Sequence, residues 1–203
     1  MGALPGELAD VYRPDGMIAA SVSSIDRASS KNQRAGVFWL TGLSGAGKTT
    51  IGRALELWLH GAGKHAYVLD GDEIRASVSN GLGFTPADRA ENIRRIAAIA
   101  QILADAGLIV IVTVVSPFRA DRDAARLTLQ SWPFVEVWVS TPIELCARRD
   151  PKGLYAKAQS GEIRDMTGLG QAYEAPHQPE VTVMGTGAVD TAVEKILAEG
   201  FWE

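Results

Sequence analysis

The apolar run Val37 to Leu40 leads through Thr41 into Gly42-Leu43-Ser44-Gly45-Ala46-Gly47-Lys48-Thr49-Thr50, and a helical pattern follows through Ile51, Leu55, Trp58 and Leu59. No other stretch constrains the chain as strongly. Glycines at this spacing let consecutive backbone N–H groups turn inward around an anion, and the N-terminus of the helix behind them adds positive partial charge. Such a turn needs a strand before it and a helix after it, so it commits the chain to strand–loop–helix packing in an α/β sheet.

The run matches the Walker A pattern of phosphate-binding loops, with both flanks of the expected type. Lys48 is expected to reach the β- and γ-phosphates of ATP, and Thr49 to place its hydroxyl on Mg²⁺. Mg²⁺ takes most of its remaining ligands from water and phosphate, so no dedicated carboxylate cage is required.

The rest of the chain continues the alternation. Apolar runs recur at Ala66 to Leu69, Leu108 to Val115 and Phe134 to Val139. Helical patterns fit the segment from the phosphate loop to Gly61 or Gly63, then Ala87 to Ala106, Ala120 to Leu129, Pro142 to Arg149 and Ala188 to Glu199. Near-continuous apolar strands imply helices on both sheet faces. The expected architecture is therefore three-layer α/β of the P-loop NTPase type, with a mainly parallel sheet. Residues 36–203 are read as one kinase-type domain. Residues 1–35, rich in Ser, Ala, Gly and Pro, are read as a poorly structured arm or linker. Between Asp150 and Pro179 periodicity fades while Gly, Pro, Lys and Asp accumulate, which fits either a lid or a plain surface excursion.

Composition narrows the function classes. A net charge of -4 argues against gripping nucleic acid by its phosphates. With one cysteine, Cys146, and three scattered histidines, neither an intramolecular disulfide framework nor a local Cys/His metal cluster can be assembled. No apolar run is long enough to span a bilayer, and a cytoplasmic setting is expected.

Asp70-Gly71-Asp72 ends the second strand, where ligands of open α/β sheets bind. One carboxylate could orient or deprotonate an attacking hydroxyl and the other hold metal-bound water; alternatively, the pair forms a turn and a helix N-cap. Arg75 and Arg89 flank Leu82-Gly83-Phe84, a combination suited to an anionic substrate with a ring to stack, although Phe84 also suits a core. Arg94 and Arg95 read as a solvated basic face. Ser116, at the end of the third strand, points to the same crevice or caps the following helix.

These blocks resemble the adenylyl-sulfate kinases, which use ATP to phosphorylate the 3′-hydroxyl of adenosine 5′-phosphosulfate. The resemblance is carried by the phosphate loop, Leu69-Asp70-Gly71-Asp72, Leu82-Gly83-Phe84, Ala87-Asp88-Arg89 with Glu91-Asn92-Ile93-Arg94-Arg95, Ser116-Pro117-Phe118-Arg119, Arg149 to Tyr155, and Tyr173-Glu174-Ala175-Pro176. It implies that Lys48, Asp70 and Asp72 act at the transferring phosphate and its metal, with Thr49 and Asp70 as metal-side residues. It also implies that Arg75, Phe84, Arg89, Asn92, Val115 and Ser116 bind the nucleotide substrate, and that Lys152 and Leu154 belong to a lid over both nucleotides. The family's phosphoserine position corresponds to Ser116, although in-line transfer to a positioned hydroxyl requires no covalent stop. Where the family shows Phe-Thr-Gly in the lid, this chain has Met166-Thr167-Gly168, so Met166 is expected to cover the substrate adenine in place of an aromatic ring. The expected assembly is a homodimer, with association or past fusion with a sulfurylase as a further expectation. Two other readings stand beside this one: a P-loop kinase for another small hydroxylated metabolite, and a nucleotide-sensing domain with little turnover.

Overall fold

The computed structural model describes residues 21–163 and 165–202. Five strands form one all-parallel sheet: β1 (Gly36–Thr41), β2 (Ala66–Asp70), β3 (Ile109–Thr113), β4 (Phe134–Val139) and β5 (Val181–Val183), in the order β2-β3-β1-β4-β5. Its central strand β1 has Gly36 opposite Ile109 on one side and Val37 opposite Phe134 on the other.

Strand alternation divides the core into two layers. Phe38 and Leu40 of β1 face one side, with Ile109 and Ile111 of β3, and pack against α2 (Lys48–Gly61) and α8 (Val189–Leu197). Val37 and Trp39 face the other side, with Val110 and Val112, and pack against α4 (Pro86–Asp105) and α5 (Arg119–Thr128). All four β1 side chains are fully buried, which explains an uninterrupted apolar run where a half-exposed strand would alternate. The three-layer expectation holds.

Helix starts follow from local chemistry. Thr85 caps α4 in a reciprocal capping box with Asp88, with Pro86 in the first turn. At its far end Gly107 adopts φ 83°, and a Cβ there would lie 2.6 Å from the Arg27 carbonyl carbon. The third apolar run extends past its strand: β2 ends at Asp70 opposite Thr113, and beyond it Val114 keeps one backbone bond, its N–H donating to the Leu40 carbonyl of β1.

Three differences from the sequence expectation concern short elements. The part of the expected arm within the described residues carries α1 (Ser24–Ser29), closed by a Ser23/Asp26 capping box. It is tied down by the Arg27–Asp105 ion pair and by the Gln33 amide, which donates to the carbonyls of His65 and Gly107 and accepts from the His65 N–H. Residues 1–20 lie outside the described residues. Strand β5 has only three residues, too few to register as a period. The 150–179 stretch contains α7 (Leu154–Gln159), whose first-turn N–H groups at Tyr155 and Ala156 donate to the Asp150 carboxylate. Two further short helices, α3 (Gly71–Ala76) and α6 (Ile143–Arg149), follow β2 and β4.

Among the described residues no helix is long and apolar enough to cross a membrane.

Candidate active site

One cavity of about 930 Å³ opens at the carboxyl ends of the strands, where β1, β2 and β3 deliver the phosphate loop, Asp70 and Ser116 to one place. Gly42, Gly45 and Gly47 take φ of 151°, 75° and 107°, conformations that side chains rarely adopt. Ser44, Gly45, Gly47, Lys48, Thr49 and Thr50 line the cavity. The other loop residues hold the turn from behind. Gly42 and Leu43 offer their carbonyls to Lys48 Nζ at 2.9 and 2.8 Å, and the carbonyl of buried Ala46 accepts from Thr141 Oγ1 at 2.7 Å. Burial first, and the neighbouring Lys152 ammonium second, bring Lys48 down to about 8.

Asp70 is 5% exposed and firmly held. Its Oδ2 accepts from Thr49 Oγ1 at 2.8 Å and Thr113 Oγ1 at 2.9 Å, and its Oδ1 accepts from the Asp72 N–H at 2.9 Å. Burial by itself would raise its pKa, but these donors outweigh burial and keep the carboxyl below its ordinary value. Asp70 is therefore the α3 N-cap, as the turn reading of this motif expects, and its carboxylate also lines the cavity. The Thr49 hydroxyl and the Asp70 carboxylate together form a small hard-oxygen pair. Among the described residues no cluster of three or more metal-ligating side chains occurs. This pair fits Mg²⁺ carried in largely by nucleotide phosphates and water, and not a protein-enclosed ion.

Asp72 is largely exposed and pairs with Lys152, and both residues line the cavity. Tyr155, 1% exposed, donates from its hydroxyl to the Ser44 carbonyl and so fixes α7 to the phosphate loop. Leu154 beside it lines the cavity.

The far end has a different character. Phe84 is 52% exposed, with the Arg75 guanidinium 4.7 Å and the Arg89 guanidinium 5.5 Å from its ring centre. The core alternative for Phe84 is thereby corrected: the ring sits at the cavity with two cations against it. The hydrogen bonds of both arginines go to backbone carbonyls, of Gly83 for Arg75 and of Phe84 and Asp165 for Arg89, which leaves their charge available to an anion. Asn92 is 5% exposed, lines the cavity, and has an Oδ1 without a partner. Met166, buried, and Val115 complete this end. Arg94 and Arg95 both pair with Glu91, in keeping with a charged helix face.

Ser116 stands at the cavity wall, but its hydroxyl is committed elsewhere. It donates to Thr41 Oγ1 at 2.9 Å, accepts from Trp39 Nε1 at 3.2 Å, and the residue is 1% exposed. That geometry gives Ser116 a part in holding the wall and presents no free hydroxyl for phosphorylation.

The sequence reading missed one side of the cavity. Met184 to Ala188, the loop from β5 to α8, and Val189 after it line the cavity beside Arg149, which donates to the carbonyls of Gly45 at 3.3 Å and Gly185 at 2.6 Å. Gly185 itself lies against the phosphate loop: a Cβ there would lie 1.9 Å from the Ala46 carbonyl oxygen. Gly185-Thr186-Gly187 was the available signal, a second glycine pair at a strand's carboxyl end.

A phosphate loop at the strand ends, facing a held carboxylate across one cavity with a cationic aromatic end, defines a P-loop phosphotransferase. The model of the adenylylsulphate kinase family matches residues 34–184, and the chain belongs to that family. The adenylyl-sulfate kinase of Aeromonas hydrophila is 49% identical over 180 residues, covering 88% of this chain and 91% of that protein. The bifunctional enzyme NodQ of Rhizobium sp. (strain N33) is 53% identical over 176 residues, which is 87% of this chain; the chain spans 27% of that relative's length. Among solved structures, the Mycobacterium tuberculosis APS kinase CysC in complex with AMPPNP and APS superposes with a TM-score of 0.79 at 41% identity, over 81% of this chain and 96% of that one.

Proposed function

We propose that this chain transfers the γ-phosphoryl group of ATP to the 3′-hydroxyl of adenosine 5′-phosphosulfate (APS), giving 3′-phosphoadenosine 5′-phosphosulfate. The observation that carries the reading is the polarity of this cavity. One end is a phosphate loop, the other an exposed ring flanked by two guanidiniums whose hydrogen bonds leave their charge free, and Asp70 lies between them. A purine carrying an anionic 5′ group matches that second end in shape and charge, and a small sugar acid leaves the aromatic face unused. The relative whose structure holds AMPPNP and APS supports the same pairing of ligands.

In this mechanism the loop N–H groups and Lys48 cradle the phosphates of ATP, and Arg149 with the Met184–Val189 loop closes around its base. Mg²⁺, when bound beside Thr49 and Asp70, supplies neutralisation of charge on the transferring phosphate. Phe84 and Met166 cover the substrate adenine, while Arg75 and Arg89 hold the phosphosulfate. Asp70 accepts a hydrogen bond from the 3′-hydroxyl and orients it for in-line attack, and Asp72 and Lys152 close the mouth and exclude water. Because both nucleotides meet in one cavity, no covalent enzyme intermediate is needed, and Ser116 contributes backbone and wall.

For setting and assembly we infer a cytoplasmic homodimer. The exposed apolar side chains Ile102 and Leu127 on neighbouring helices support self-association, and the bifunctional relatives support association or past fusion with a sulfurylase. Light scattering after gel filtration measures the first of these.

The test of the activity is a steady-state panel offering APS, adenosine 5′-phosphate and small sugar acids as acceptors. Preference for APS by at least tenfold in kcat/KM is expected from the paired cations. Preference for a sugar acid would overturn the reading.

A further inference from the structure

The segment Tyr173-Glu174-Ala175-Pro176 carries no role in the reaction described above, yet the chain ties it down with unusual density. The Glu174 N–H donates to the Pro117 carbonyl at 2.8 Å, and the Glu174 carboxylate accepts from the Arg119 N–H at 2.8 Å. Arg122, whose side chain is 3% exposed, bonds three ways: Nη1 to the Ser116 carbonyl at 2.7 Å, Nη2 to the Glu174 carbonyl at 2.8 Å, and Nε to Glu136 at 2.7 Å. The Tyr173 hydroxyl lies 3.0 Å from Thr41 Oγ1.

Directions can be assigned around Thr41. Its hydroxyl donates to the Val115 carbonyl at 2.8 Å, so it accepts from Ser116 Oγ and from Tyr173. Trp39 Nε1 donates in turn to Ser116. The chain of bonds runs from β1 and the lid's return into the backbone of residues 115 and 116, where Ser116 is held at φ 39°, a conformation costly for a residue with a Cβ. Val115 and Ser116 form part of the wall of the cavity's substrate end, and Met166, seven residues before Tyr173, covers the same end.

We infer that Tyr173 and Arg122 are positioning residues that latch the return of the lid to the wall of the acceptor half-site, so that Met166 and the Val115–Ser116 backbone are set together. This rests on the acceptor reading given above. Neither residue lines the cavity, and their side chains bond Thr41, Glu136 and the carbonyls of Ser116 and Glu174. Their loss should therefore register in acceptor affinity and not in ATP affinity, a split that general destabilisation does not produce.

The experiment measures KM for APS, KM for ATP, kcat and Tm in the wild type, Tyr173→Phe, Thr41→Val, the double variant, and Thr41→Ser. Both single variants break the Tyr173–Thr41 bond, and Thr41→Val also removes the bonds to the Val115 carbonyl and from Ser116 Oγ; the expected rise in KM for APS is roughly fivefold for Tyr173→Phe, the scale of one hydrogen bond, and at least as large for Thr41→Val. The double variant should be no worse than Thr41→Val alone, Thr41→Ser should restore wild-type KM, and KM for ATP should stay within twofold by the same scale. A turnover-competent wild type with unchanged KM for APS in Tyr173→Phe overturns the latch. So does a parallel loss in both KM values and Tm, which marks a purely structural bond. Absence of transfer to APS by the wild type is a separate result, and it overturns the acceptor reading itself.

Discussion

Asp70 serves the fold as the N-cap of α3, and three donors fix its orientation while it remains at the cavity, where the proposed mechanism uses it. An asparagine can accept from the two threonines or from the Asp72 N–H, but not from both sides. Asp70→Asn should lower kcat by roughly a hundredfold or more with a smaller effect on ATP affinity; an unchanged kcat contradicts its role at the hydroxyl. Met166 makes a subtler prediction. Sulfur-to-ring contacts and aromatic pairs overlap in strength, at about 0.3–1.5 and 0.5–1.5 kcal/mol. Met166→Phe should thus tighten APS by a few-fold in the presence of ADP and Mg²⁺, and Met166→Ala should weaken it; calorimetric titration reads both. Lys48 supplies the pH dependence. Its folded pKa of about 8 is depressed from 10.5, so between those values the folded protein binds fewer protons than the unfolded chain. Stability from this group therefore rises with pH across that window. Phosphate binding reverses the depression, so near pH 8 nucleotide binding should take up a proton. Titration in buffers of different ionisation enthalpy detects this uptake, and Lys48→Ala should abolish it.

At the scale of elements, the loop between β5 and α8 is pressed onto the phosphate loop at Gly185, where a Cβ would meet both the Ala46 carbonyl and Thr141 Oγ1. Gly185→Ala should raise KM for ATP by roughly tenfold and lower Tm, as overpacking does. A variant with unchanged KM for ATP contradicts the placing of this loop at the ATP end. This element also marks where the sequence stops being legible. Residues 42–49 could be read because their chemistry is contiguous, and Asp70 because a strand end is recognisable from its apolar run. β5 and the ATP-side loop were not read, because three residues have no period and Arg149 reaches Gly185 only through the folded chain. The α1 helix was a different kind of miss: Ser23 and Asp26 are a capping-box signal, overlooked within a stretch whose composition suggested a linker. The stretch from Asp150 to Pro179 was legible as a break in periodicity, but not its attachment through Tyr155 to Ser44.

The molecule as a whole places two different binding ends around one parallel sheet. Helices on both faces bury β1 completely, so the phosphate loop springs from a fully buried central strand, and the stretch expected to close, 150–179, contributes Pro151, Lys152, Leu154 and Met166 to the cavity lining. The proposed placing of donor and acceptor together in this cavity implies direct transfer, with no phosphoprotein on the path. The direct measurement is to follow ATP labelled in its γ-phosphate, with and without APS, and to trace the label after quenching. The account predicts label on the 3′ position of the acceptor, consumption of ATP that depends on APS, and no label retained on the protein, with Ser116→Ala still transferring. Label accumulating on Ser116 during turnover, or ATP consumed equally without APS, would contradict it.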